Sequence, residues 1–448
     1  MKSFNTYVDS HADRFVEELQ QVCRQPSVAA QNWGMAEMAE IVVGRLRKLG
    51  ADPQLIGTEG APPVVYAELG SGPKTLLIYN HYDVQPPEPL ELWETEPFEP
   101  TLRDGKLYAR GVADNKGSML ARMQAVEAWL ETVGELPLKI KWVIEGEEEV
   151  SSPHLEQWVE ENRTLVEGAD GCLWEFGYKD IAGRPVINLG LKGIYYVELR
   201  ARCASRDLHS AMASIVPNPA WRLTWALSTL KDAEDRILID GYMDYVAEPP
   251  PAATRLMEKM PFEEEQLKED YQIPAFIRNL TGIELLKKHL YEPTCTICGL
   301  ESGYTGEGSK TVLPNTAMAK VDLRLVHDLT PDLAHELLRR HLDRRGFDDI
   351  EIVPLGGEHP SQTDLDAPMV HAAVAALRAT YGREPVVWPT SAGSGPMYPL
   401  CEGLGIPAVS FGVGYFGSNA HAPNENIRVQ DYIEGIKCMG EFIRRFAE

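Results

Sequence analysis

Cysteine is too sparse and too scattered in this chain to build a disulfide scaffold. Seven cysteines, at positions 23, 172, 203, 295, 298, 401 and 438, are spread over 448 residues. An odd count at such spacing reads as free thiols in a reducing compartment, which predicts a cytoplasmic protein. No apolar run of about 18 residues occurs, so no membrane-spanning helix is expected. The stretch from Met1 to Ser10 lacks the apolar core of a signal peptide. Positive charge is also scarce: 43 Lys plus Arg stand against 67 Asp plus Glu, a net charge of −24. That surplus repels phosphate backbones and anionic lipid, which argues against nucleic acid or a membrane surface as partner. No internal repeat is visible, so a solenoid is excluded.

What is present is an ordinary globular composition, 44% hydrophobic and 25% charged, long enough for two or three domains. Short apolar runs recur at 63–66, 75–79, 138–144, 171–174 and 406–411. They alternate with helix-like segments, among them Ser118 to Thr132, Val370 to Tyr381 and Asp431 to Phe446. Runs of that kind suit strands buried on both faces, so the expected fold class is α/β, a mostly parallel sheet with flanking helices. The middle of the chain differs. Ile194 to Ala201 and Thr316 to Val326 alternate as half-buried strands. Thr330-Pro331 starts a helix to Arg344, and Asp349 to Pro354 reads as a further strand. A helix near Ala220 to Leu230 completes a small α+β unit, expected as an insertion over 191–356 within a catalytic domain of 1–190 and 357–448. The acidic, proline-rich stretch 249–275 reads as a solvated excursion.

Polar residues gather where the apolar runs end, the place where ligands bind in open α/β sheets. His81-Tyr82-Asp83 closes one run, and a two-residue offset puts His81 and Asp83 on one face of an extended chain. Gly111 to Gly117 holds Asp114 in a glycine-flanked loop before a helix. The run ending at Ile144 leads into Glu145-Gly146-Glu147-Glu148-Glu149, where adjacent carboxylates repel unless solvent or a cation neutralises them. Glu175 ends the run Gly171 to Trp174, and His421 follows the run ending at Phe411. Each motif alone has a bland reading as a turn, a cap or a solvated loop. Together they offer nitrogen and oxygen ligands suited to zinc or manganese.

In order and context, His81-Tyr82-Asp83, Ala113 to Gly117, Glu148-Glu149, Glu175 and His421 resemble the dinuclear-metal exopeptidases. That family includes carnosinase, cytosolic nonspecific dipeptidase, aminoacylase and succinyl-diaminopimelate desuccinylase. The resemblance spans essentially the whole chain and is nearest the dipeptidase branch, through Asp83-Val84-Gln85-Pro86 and Asp207-Leu208-His209-Ser210. It implies two divalent cations, zinc or manganese, bridged by Asp114, with His81 and Glu175 completing one site and Glu149 and His421 the other. Asp83 would hold His81, and Glu148 would be the general base that takes a proton from the attacking water. Arg324 would grip the substrate carboxylate, with Thr311, Gly393 and Ser394 as further contacts. His209 would reach from a partner subunit to stabilise the oxyanion, which makes the inserted domain a lid and dimerisation domain of a homodimer. The resemblance also implies a cis bond between Asp114 and Asn115.

The expected reaction is hydrolysis of a peptide bond in dipeptides or short peptides with a free C-terminal carboxylate. The alternative is an N-acyl-amino-acid amidohydrolase. Where the branch usually has Glu-Gly-Gly-Ser, this chain has Ser391-Ala392-Gly393-Ser394, which weakens the inference of a free amino terminus on the substrate. A non-catalytic metal or peptide binder should lack the base or a ligand, and here none is lost. Gly412 to Gly417 matches a dinucleotide fingerprint, but the polar, proline-ended segment after it does not open a helix. Cys295 to Cys298 is a single CxxC without a second pair.

Overall fold

A computed structural model describes residues 1–448 and divides the chain into two compact units. The first comprises Met1–Gly190, Gln362–Pro389 and Pro396–Glu448; the second comprises Leu191–Ser361 and Thr390–Gly395.

The first unit is built on an eight-stranded sheet. Its strands lie in the order Gln54–Ile56, Val64–Leu69, Lys139–Glu145, Thr75–His81, Gly171–Trp174, Ala408–Ser410, Val186–Asn188 and Val386–Trp388. The four central strands, from Lys139–Glu145 to Ala408–Ser410, run parallel to one another. These are the continuous apolar runs of the sequence, and they are buried almost throughout. Helix Lys116–Val133 is enclosed nearly all round, packing against Val429–Ala447 and Lys2–Ser10. Gly440 lets Val429–Ala447 approach Lys2–Ser10, since a Cβ there would lie 2.2 Å from the Phe4 ring. The central strands end together, with His81 opposite Glu145 in register, so the polar residues that follow them collect along one sheet edge.

The second unit has a four-stranded antiparallel sheet in the order Thr296–Ser302, Thr316–Leu325, Gly193–Arg202 and Glu351–Glu358. Alternation along Gly193–Arg202 buries Tyr195, Val197, Leu199 and Ala201 in a second core with Leu337, Leu338 and Leu342 of helix Pro331–Arg344. Both flanking helices start as their sequences dictate. Asn218 accepts from the backbone N–H of Ala220 and Trp221 ahead of Pro219–Leu227, and Thr330 accepts from Leu333 N–H.

The structure departs from the sequence reading in several places. The 249–275 stretch contains helices Pro251–Met257 and Glu264–Tyr271, and it buries Ala253, Met257 and Met260. Strand Thr296–Ser302, which holds Cys298, was hidden because an exposed edge strand carries no apolar alternation. Strand Glu351–Glu358 runs past the expected boundary, and residues 390–395 group with the second unit. After Gly412 the chain forms only the short strand Gly414–Tyr415, so no dinucleotide-binding helix follows.

Candidate metal centre and catalytic site

His81 is the last residue of its strand and fully buried. Its Nδ1–H donates to the backbone oxygen of Asp83 at 3.1 Å and lies 3.3 Å from the Asp83 carboxylate. Its Nε2 faces Asp114 Oδ1 at 3.1 Å. On the other side, Asp114 Oδ2 lies 3.1 Å from His421 Nε2, which is also 3.1 Å from Glu149 Oε2. Glu175 Oε2 is 4.0 Å from His81 Nε2. One carboxylate therefore stands between two imidazoles, each with a second carboxylate beside it. The Asp114–Asn115 peptide is cis, as expected.

Asp83 does more than orient His81. Its two carboxylate oxygens accept the backbone N–H groups of Glu148 and Glu149 at 3.2 and 2.9 Å. The turn carrying both glutamates is thereby tied to the strand carrying His81. Gly146 lets the turn close, because a Cβ there would sit 2.4 Å from the Tyr82 ring. Behind it, Glu145 accepts from Tyr79 Oη and from Ser152 Oγ at the far end of the turn.

The charges reinforce one another. Burial opposes ionisation of Asp114, but hydrogen bonds from His421 and His81 outweigh it and hold the carboxyl well below its ordinary range. Burial pushes Glu175 up to about 8, with the Asp114 charge acting in the same direction. Glu149 is raised by burial, and Glu148 well above its ordinary value by burial, aided by Glu175, Glu149 and Asp114 and opposed by His81. Hydrogen bonds to Asp114 and Glu149 lift His421 to about 11. Protons are thus held tightly where the lone pairs converge. The donor set fits a divalent cation equally well: ligand atoms of His81, Asp114 and Glu149 all lie within 4.8 Å of one another. Bonds of about 2.0–2.2 Å to one ion place neighbouring ligands about 3 Å apart, the separation seen between Asp114 and each imidazole and between His421 and Glu149, while Glu175 stands 4.0 Å from His81.

Three residues of this frame left no sign in the sequence. Glu425, fully buried, receives Arg110 Nη1 at 2.7 Å and the backbone N–H groups of Gly111, Ala113 and Asp114 at 2.9, 2.8 and 3.0 Å. It joins the Asp114 loop to the segment that carries His421. Arg110 also donates to the carbonyls of Pro86 and Ala422. Arg122 donates to the carbonyls of Tyr79, Leu173, Trp174, Glu175 and Phe411, pinning the ends of three neighbouring strands.

The other expected site residues lie in the second unit, in two groups. Arg324 Nη1 donates to Ser394 Oγ at 2.9 Å, and its Nε is 3.3 Å from Asp322 Oδ2. Gly393 is held by the same turn, since Lys192 N–H donates to the carbonyls of Ser391 and Gly393. His209 and Thr311 adjoin on a short strand pair, Leu208–His209 against Val312–Leu313, where Ser210 N–H donates to Thr311 O. His209 is exposed, and its Nδ1 accepts from Ala211 N–H at 3.1 Å, which leaves Nε2 as a proton donor.

Residues 77–445 match the model of peptidase family M20/M25/M40. The chain belongs to that family. Among similar proteins, human Beta-Ala-His dipeptidase is 30% identical over 471 residues, covering 99% of this chain and 92% of that protein. The Cys-Gly metallodipeptidase dug1 of Schizosaccharomyces pombe is 28% identical, with 98% and 97% covered. These names agree with the dipeptidase branch read from the motifs. Among solved structures, an M20 family metallo-carboxypeptidase of Sulfolobus solfataricus superposes with a TM-score of 0.93 at 40% identity, covering 97% of this chain and 99% of that one. Human carnosine dipeptidase 1 gives 0.83 at 28%, with 100% and 99% covered. The protein is therefore an M20 peptidase with the mixed α/β fold of its relatives, and no helix in it is long and apolar enough to cross a membrane.

Proposed function

We propose that this peptidase hydrolyses the bond next to a free C-terminal carboxylate in dipeptides and short peptides, with two divalent cations, zinc or manganese, in its site. The observation that carries this reading is the Asp114 carboxylate, which offers one oxygen to His81 and the other to His421. His81, Asp114 and Glu175 would hold one cation, and His421, Asp114 and Glu149 the other. Such ions supply Lewis acidity toward a carbonyl oxygen and make water easier to deprotonate. Glu148 takes the proton of the attacking water and returns it to the leaving amine. Its raised proton affinity, from burial among carboxylates, suits it to that exchange.

Residues 191–361 act as a lid and dimerisation domain in this reading. Arg324, steadied by Ser394 and Asp322, pairs with the substrate carboxylate, with Thr311 and Gly393 lining the same substrate. His209 donates its Nε2–H to the oxyanion of the neighbouring subunit in a homodimer. Exposed apolar side chains support such pairing: Trp221 and Trp225 stack on one helix, and Ile297 and Leu300 are exposed on the edge strand. Seven free thiols suit a cytoplasmic setting.

A second reading, an N-acyl-amino-acid amidohydrolase, draws on the turn 390–395. Ser391 accepts from Gly393 N–H, and the turn carries no acidic side chain to receive a substrate ammonium. The carboxypeptidase name of the Sulfolobus relative points the same way, to substrates extended beyond a free amine. Turnover of a dipeptide panel beside N-acetyl amino acids and N-blocked dipeptides, with metal content measured, separates the readings. Cleavage of dipeptides alone supports the first. Preference for blocked substrates supports the second, and no metal-dependent turnover of any of them refutes both.

A further inference from the structure

Two side-chain amides stand in the same relation to two different glutamates. Gln85 Nε2 donates to the backbone carbonyl of Glu149 at 3.2 Å and to its carboxylate Oε2 at 2.8 Å. Asn115 Nδ2 donates to the backbone carbonyl of Glu175 at 2.9 Å and to its Oε2 at 2.9 Å. Both partners in each pair are acceptors, so only the NH2 end of the amide can face them, and both of its protons are used. Each oxygen held this way also faces an imidazole, Glu149 Oε2 toward His421 and Glu175 Oε2 toward His81.

The two amides are themselves anchored. Asn115 Oδ1 accepts from Asn80 Nδ2, and Asn80 Oδ1 accepts from Arg122 Nη1 at 3.1 Å. Gln85 lies two residues after Asp83, whose carboxylate holds the backbone of Glu148 and Glu149. One short segment thus grips Glu149 by its N–H, its carbonyl and its side chain.

We infer that Gln85 and Asn115 are equivalent positioning residues, one for each non-bridging glutamate, which fix the carboxylate lone pairs left for a divalent cation. The inference rests on the metal reading above. A free glutamate side chain loses rotamer freedom when it ligates an ion. A single nitrogen that ties its carbonyl to its carboxylate oxygen removes that freedom beforehand, and preorganisation of this kind raises affinity. Partners of metal ligands outside the coordination sphere commonly act in this way.

The test adds Mn2+ or Zn2+ alone to metal-stripped, full-length protein and follows binding by calorimetry and, for Mn2+, by electron paramagnetic resonance. Gln85→Met keeps the length of the side chain and removes its donor. Its cation affinity is expected to fall about 10- to 100-fold, while the melting temperature of the metal-free protein stays at the wild-type value. Activity plotted against metal concentration should shift its midpoint by that factor and its plateau by much less. A lowered melting temperature with unchanged affinity would mean a purely structural role and overturn the inference. Asn115→Ala should weaken cation binding likewise. Asn115 is fully buried, and if that variant does not fold, Gln85→Met decides alone. Should wild-type protein bind neither ion, the metal reading itself falls, an outcome distinct from a Gln85→Met variant that binds as wild type does.

Discussion

The two units carry their functional side chains in opposite ways. In the first, His81 and Asp83 are fully buried, Glu175 is nearly so, only the His421 ring is more than half exposed, and every proposed ligand is tied to a neighbour by hydrogen bonds. In the second, His209 and Thr311 are exposed, and Arg324 is about one-third exposed along its side chain. Burial among fixed partners suits groups that must hold a cation or time a proton transfer. Exposure suits groups that meet a substrate only when it arrives. The contrast separates preorganised chemistry from delivered recognition, and it can be tested from both sides.

The largest effect is expected at the proposed base, Glu148. Glu148→Gln keeps the shape and removes proton acceptance, so kcat should fall by about 10² to 10⁴, with metal content unchanged. Near-normal turnover in the metal-replete variant would move the base elsewhere. Next comes the exposed donor: His209→Ala should lower kcat by about 10² to 10³. If His209 acts in trans within a dimer, mixing that variant with Glu148→Gln under subunit exchange should restore activity, because a mixed dimer then has one site with both residues intact. No recovery despite proven exchange would show that His209 does not act across subunits.

A third measurement sharpens the description of the buried side. In the proposed site, cations would displace protons from Glu149, from Glu175, which holds its proton up to about 8, and from His421, up to about 11. A proton held in the free site and lost on binding makes affinity rise with pH. Below about pH 8, Zn2+ or Mn2+ affinity should therefore fall about tenfold per pH unit for each proton released. Titrations in buffers of different ionisation enthalpy count those protons, and flat affinity from pH 6 to 8 would contradict the buried cluster. The smallest change is expected at Arg324→Lys. It keeps the charge but loses the fork shared with Ser394, so KM should rise about tenfold with kcat less affected. An effect confined to kcat would assign Arg324 to the chemical step instead.

Legibility in the sequence follows the same division. The central strands could be read because burial on both faces forces continuous apolar runs, and the proposed ligands because they stand at the ends of those runs or in the loops that follow. His81, Asp114, Glu149, Glu175 and His421 carry chemistry in their residue types. Glu425 does not: it accepts backbone N–H groups, and nothing in Asn424-Glu425 distinguishes that from a solvated acid. Arg110 and Arg122 belong to no motif that marks them, although both are buried. Gln85 stands within a motif that could be recognised, yet its contact with Glu149 requires the fold. The 249–275 helices were missed because both are short, the first burying only Ala253 and Met257 and the second no side chain.

Arg122 also bears on how the molecule comes apart. Its guanidinium is enclosed, with carbonyl oxygens from three strand ends as its main partners. Opening the candidate site locally would strip those partners from a buried charge, at a cost of several kcal/mol. Such a site has no low-energy excursion of its own. Amide hydrogens at these strand ends should exchange only when the whole sheet opens. A chelator that removes the cations would then leave the frame standing, ready to be refilled without refolding.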